Sequence, residues 1–280
     1  MTTLLLTGCT LLPTPTASPD PQVFEEISAL PGVVDVMPAP DEAWLSGSAT
    51  VVVADDAGED VVLQVARDAA SLVEDAGWVG SLDLEREWLG LDDPGDPDVE
   101  LPAMPAWRLS IFPDTERAEG DLRDLLALER LGTVGWSSVI DGWPSVTVLR
   151  LDDFLPVFDV ARRMPLLEAG GTFSFGGEGR LGAVWTPHRA TPELVEVAAR
   201  LAADYPDAEV LVQAMMVEPQ WPKLYVARLS PEQAPVVEQL LLDPELADVG
   251  VDGLPIPWQI GILSTDGTTY LEGNFGGVAG

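Results

Sequence analysis

Apolar residues recur at helical spacing over positions 60–75, where Val62, Val65, Ala66, Ala69, Leu72 and Val73 share one face. Thr191-Pro192-Glu193 and Ser230-Pro231-Glu232 read as two near-identical helix starts. Each has a hydroxyl N-cap, a proline in the first turn and an acid that suits the helix dipole. Ser230 and Gln233 also have the spacing of a capping box. Asp114 is placed to cap a helix running to Arg130, and Asp152 or Asp153 one running to Met164. Short β-branched runs at 33–36, 49–54, 134–140, 146–149, 210–212 and 224–229 predict strands. In order, the pattern reads α-β-β-α-β-β three times, over about 23–113, 114–186 and 187–263. Leu30-Pro31-Gly32-Val33, Leu131-Gly132-Thr133-Val134 and Tyr205-Pro206-Asp207-Ala208 stand at the same helix-to-strand corner. Identity between the units is weak, so the repeat is one of elements.

Shifted by one strand, the second and third units resemble β-α-β-β-α-β, the ferredoxin-like split βαβ plan. That resemblance implies an α+β fold of three tandem ferredoxin-like modules, antiparallel sheets with helix pairs on one face. The modules would occupy 23–113, 114–186 and 187–280, the last with a C-terminal tail. Strands at 107–112 and 181–185 would open the second and third copies. The first lacks an opening strand, and 268–271 is the segment expected to supply it by closing the chain on itself.

The first 22 positions have no place in this pattern. Leu6-Thr7-Gly8-Cys9 follows a short leucine run and resembles the lipobox of bacterial lipoproteins. In that family the cysteine is diacylated and the signal peptide is cut before it. The resemblance implies lipidation at Cys9, with Leu6, Thr7 and Gly8 as the recognition residues. It also implies a cell-membrane location, lipid-anchored on the extracytoplasmic face. No Lys or Arg precedes Arg67, and the apolar run is only Leu4-Leu5-Leu6, so the signal is expected to begin upstream. Residues 10–22, rich in Pro, Thr, Ser and Ala, read as an extended tether. At ~3.1 Å per residue it reaches about 40 Å.

Composition narrows the function. Fourteen basic residues against 47 acids give a net charge of −33, yet only 22% of residues are charged. This is a folded chain poor in bases, and the balance argues against nucleic-acid partners, which need Lys and Arg on phosphates. One cysteine and one histidine exclude an intrachain disulfide and a His/Cys-rich zinc site. Lys223 is the only lysine beside thirteen arginines, a bias that resembles proteins of high-GC Gram-positive bacteria.

Catalytic signatures are mostly missing. Gly177-Glu178-Gly179-Arg180-Leu181-Gly182 spells G-x-G-x-x-G, but strand-like runs lie on both sides, so it reads as a hairpin turn and not a nucleotide site. Lys223 follows Pro222, which excludes a P-loop. His188, just before the Thr191 cap, reads as an exposed loop residue. Asp92, Asp93, Asp96, Asp98 and Glu100 alternate with Pro and Gly in one loop, a weak Ca²⁺ candidate without the EF-hand register. No other cofactor is expected. The nine tryptophans are expected to pack between sheet, helix and module rather than to bind sugars or peptides.

The expected role is a membrane-tethered extracytoplasmic lipoprotein acting as a non-catalytic binding or scaffolding module. Its partners would be the membrane, through the lipid anchor, and an unspecified protein or envelope component. The competing reading is a cell-envelope hydrolase using a carboxylate pair, which 47 acids neither single out nor exclude.

Overall fold

The structure is a computed structural model that describes residues 21–38, 47–86, 106–175, 180–187, 190–213, 223–251, 255–264 and 267–278. The helices are α1 (Pro21–Ser28), α2 (Glu59–Asp75), α3 (Thr115–Glu129), α4 (Leu151–Ala161), α5 (Pro192–Asp204) and α6 (Ala234–Leu241). The strands are β1 (Val33–Pro38), β2 (Ser48–Val53), β3 (Ser81–Arg86), β4 (Trp107–Phe112), β5 (Val134–Ile140) and β6 (Trp143–Val148). They continue as β7 (Gly171–Phe175), β8 (Leu181–Trp185), β9 (Glu209–Gln213), β10 (Lys223–Leu229), β11 (Pro257–Ser264) and β12 (Gly267–Asn274). Along the chain this is α-β-β six times over, the order the sequence pattern predicts.

The pairing is not what three ferredoxin-like modules require. All twelve strands form one mixed sheet, and its spatial order is the chain order from β1 to β12. Hairpin neighbours such as β5 and β6 are antiparallel, while strands joined by a helix, such as β4 and β5, are parallel. The positions expected to separate modules are bridged by β4–β5 and β8–β9 pairing. A split βαβ module needs its helix to step over a strand. Here α2, α3, α4, α5 and α6 each connect adjacent parallel strands instead. The expected closure also fails, because β12 pairs with β11 at the edge opposite β1.

One face of the sheet holds the core. A row of apolar partners crosses it, Val51 to Leu84 to Leu109 to Val139, and then Val146 to Phe173 to Ala183 to Val212 to Leu224 to Trp258. All are buried and belong to one continuous cluster with the inner faces of the helices. Helix α2 packs on α3 and α4 on α5 over this face. Since α2 and α3 share a face while their strand pairs run in opposite directions, the two crossovers wind with opposite hands. Parallel connections are right-handed in roughly 98% of cases, so this alternation is an unusual feature of the fold.

Local signals explain the elements. Asp114 caps α3 by accepting from the Arg117 N–H at 3.3 Å. Ser230 and Gln233 make the reciprocal bonds of a capping box, with Ser230 N–H on Gln233 Oε1 at 2.9 Å and Gln233 N–H on Ser230 Oγ at 3.2 Å, but in the turn ahead of α6, whose N-cap is Gln233 and not Ser230. Other details depart from the expected. The N-cap of α4 is Arg150 rather than Asp152 or Asp153, and Pro156 is accommodated within that helix. The Thr191 hydroxyl turns away from α5 to donate to the Val249 carbonyl at 2.9 Å. Helix α1 begins at Pro21, inside the stretch read as tether.

Candidate functional site

Strand side chains alternate between faces, so a sheet with one helix-covered face presents every second residue on the other. In β3, Leu82 and Leu84 point into the core while Asp83 and Glu85 point out. In β4, Trp107, Leu109 and Ile111 point in while Arg108 and Ser110 point out. Register carries this across the sheet. One outward row runs Glu85, Arg108, Ser138, Ser145, Thr172, Val184, Gln213 and Lys223. A second runs Trp136, Thr147, Ser174, Gly182, Leu211, Tyr225, Gln259 and Glu272. This face thus mixes hydroxyls, amides and a few charges with the apolar Val184, Leu211 and Trp136, and Ser138 within it is buried.

Its polar groups hold one another in place. The Arg108 guanidinium donates to Asp83 Oδ2 from Nε at 3.0 Å and from Nη2 at 2.6 Å, and Nη2 reaches Thr50 Oγ1 at 3.4 Å. Ser110 Oγ donates to the other Asp83 oxygen at 2.6 Å. Glu85, directly opposite Arg108, titrates above the ordinary glutamate range. Burial is the main cause, Asp83 adds to it and Arg108 opposes it. Further along, the Trp143 indole N–H donates to Thr172 Oγ1 at 2.9 Å, and the Thr147 and Ser174 hydroxyls meet at 2.8 Å. Trp136 Nε1 is buried without a partner. Lys223 Nζ lies 4.6 Å from the centre of the Tyr225 ring.

The helical side is different in kind. There arginines join α2 to α3: Glu119 binds Arg67 of α2 and, within α3, Arg123, at 2.8 Å each, and Glu59 binds Arg130 at 2.6 Å. The grooves are shallow depressions on this side. One lies between α3 and the turn Pro165–Leu167, lined by Arg117, Asp121, Asp124 and Leu166. Asp124 is used there to accept the Leu166 N–H at 2.8 Å. Burial raises the Asp121 carboxyl, and Arg117 works against the rise.

Of the residues singled out in the sequence, Leu6, Thr7, Gly8 and Cys9 lie outside the described residues, as do Asp92, Asp93, Asp96, Asp98, Glu100 and His188. Among the described residues no group of three or more His, Cys, Asp or Glu side chains is placed to hold a metal. No helix among them is long and apolar enough to cross a membrane. The strands flanking Gly177 and Gly179, β7 and β8, pair antiparallel, as a hairpin requires and a dinucleotide site does not.

Trp78, Trp107, Trp185 and Trp258 are buried in the core. Trp78 stacks on Phe112 and Trp185 meets Phe158 edge-on. Trp136 and Trp143 instead stand on the open face. Sequence reasoning missed the group around Arg108. Its signal was the alternation in Ser-Leu-Asp-Leu-Glu-Arg, which sets two acids on one side of a strand.

No family model matches the chain, no curated protein matches it, and no solved structure matches its fold.

Proposed function

We propose that this chain is a membrane-tethered, extracytoplasmic lipoprotein whose open sheet face serves as a non-catalytic binding or scaffolding surface. The observation that carries the reading is that face: from β2 to β7 it carries polar side chains, among them Asp83, Arg108, Ser110, Thr147, Thr172 and Ser174, held in place by mutual hydrogen bonds. Prearranged donors and acceptors lower the entropic cost of association. The lipobox-like Leu6-Thr7-Gly8-Cys9 and the Pro/Thr-rich stretch after it support an anchor that presents the sheet at a distance from the bilayer. A strongly acidic body favours cationic partners and is repelled by anionic lipid, so the tether matters.

Membrane fractionation of wild type and Cys9→Ser tests the address. Wild type is expected in the membrane fraction and Cys9→Ser outside it; a soluble wild type ends the lipoprotein reading. Co-sedimentation with purified cell envelope tests the surface. Ser145→Arg places bulk and charge at the centre of the open face and should abolish envelope binding without lowering the melting temperature.

The hydrolase reading keeps one observation in its favour, the raised Glu85 carboxyl beside Asp83. Both Asp83 oxygens are already occupied by Arg108 and Ser110, which leaves neither free to activate water. Glu85→Gln should therefore leave any envelope-degrading activity unchanged.

A further inference from the structure

The two edges of this sheet are built differently. At β1 the ladder is blunted. A bulge separates Val33 from Asp35, the Asp35 carboxylate takes the Val36 N–H at 2.8 Å, and Pro38 ends the strand without an N–H to offer. At the other edge, β12 runs eight residues with no proline, no lysine and one acid, Glu272.

The register shows which groups β12 leaves outward. Phe275 N–H bonds the Ile256 carbonyl at 3.0 Å, in step with the β11–β12 register. Hydrogen-bonded pairs alternate along an antiparallel ladder, so Gly273, Leu271 and Thr269 face β11 with their backbone groups. Thr268, Tyr270 and Glu272 therefore direct their N–H and C=O groups away from the sheet. Tyr270 is 60% exposed and lies across from Gly261 on the open face.

We propose that β12 pairs antiparallel with β12 of a second copy about a two-fold axis at Tyr270, joining two sheets into one. This edge is self-complementary. Tyr270 meets its own counterpart and Thr268 meets Glu272, so three residue pairs each exchange two backbone bonds. No acid faces an acid in this register, and the paired tyrosines form a cross-strand aromatic contact. A head-to-tail filament is disfavoured because β1 is closed to pairing. The dimer extends the open face across both copies, and two anchors then hold one surface. The net charge of −33 on each copy opposes the contact, so salt should strengthen it.

Sedimentation of the full chain under reducing conditions tests this. Wild type is expected at the mass of two chains, with self-association tightening as NaCl rises. Tyr270→Pro removes an outward N–H that the β11 ladder does not use, so it should give a monomer with unchanged circular dichroism and melting temperature. If Tyr270→Pro does not fold, Tyr270→Lys decides, since a lysine on an edge strand opposes pairing and leaves the backbone intact. A wild type that stays monomeric over the whole concentration range overturns the proposal. So does a dimer that survives Tyr270→Lys, which would place the contact elsewhere.

Discussion

Trp107 shows how much one strand position can gather. It is fully buried, its indole N–H reaches Glu129 Oε2 at 3.2 Å, and the Arg86 guanidinium lies over its ring at 5.5 Å. Arg86 is itself buried, with Nε 3.1 Å from Glu129 Oε1 and Nη2 on the Ala57 carbonyl at 3.1 Å. Truncating the indole opens a cavity and loosens the arginine above it. Trp107→Ala should cost about 3–5 kcal/mol, read as a lower urea midpoint. Glu119 sets a pH dependence. Hydrogen bonds from Arg67 and Arg123 hold its carboxyl down at about 2. A depressed carboxylate stabilises the fold above its unfolded value, near 4.3, and that contribution is lost as pH falls toward the folded value. The melting temperature of wild type should therefore drop more steeply between roughly pH 4.5 and 2 than that of Glu119→Gln. Parallel curves would show that the bracket contributes nothing. Neither the indole clasp nor the Arg67 arm of the bracket was legible in the sequence, because each joins residues distant along the chain; only the Arg123 arm, four residues from Glu119 on α3, is local.

Helices and their ends were the most legible elements. Asp114 caps α3 as its spacing predicts, and the seven buried residues of α2 include Val62, Val65, Ala66, Ala69 and Val73 from the face read out of the periodicity. The reciprocal bonds of Ser230 and Gln233 formed as well, in the turn ahead of α6. Ser230→Ala should destabilise the protein by about 1 kcal/mol, measurable in denaturant, with Ser230→Asp retaining most of the stability. Thr191, its near twin in sequence, behaves otherwise because the Val249 carbonyl competes for the hydroxyl. Strand β3 escaped notice because Leu, Glu and Arg favour helices. Two inward leucines, Leu82 and Leu84, were enough to override that propensity.

At the scale of the molecule, the sequence carried the α-β-β rhythm but not the pairing of its strands. An α-β-β repeat fits separate split βαβ sheets or one sheet laid down in chain order, since both bury the same alternate residues. The preference for right-handed crossovers favours the first. Partner choice lies in contacts such as Leu109 with Val139 and Ala183 with Val212, which have no local signature. The open face follows from that choice, because its rows cross from one third of the chain to the next only through the β4–β5 and β8–β9 pairings.

Backbone nuclear Overhauser contacts across β4–β5 and β8–β9 test the single sheet most directly. Contacts between Leu109 and Val139 strand segments, and between those of Ala183 and Val212, are the expected result. Their absence, with hairpin contacts inside each third of the chain intact, would contradict a continuous sheet and remove the surface on which the binding role rests.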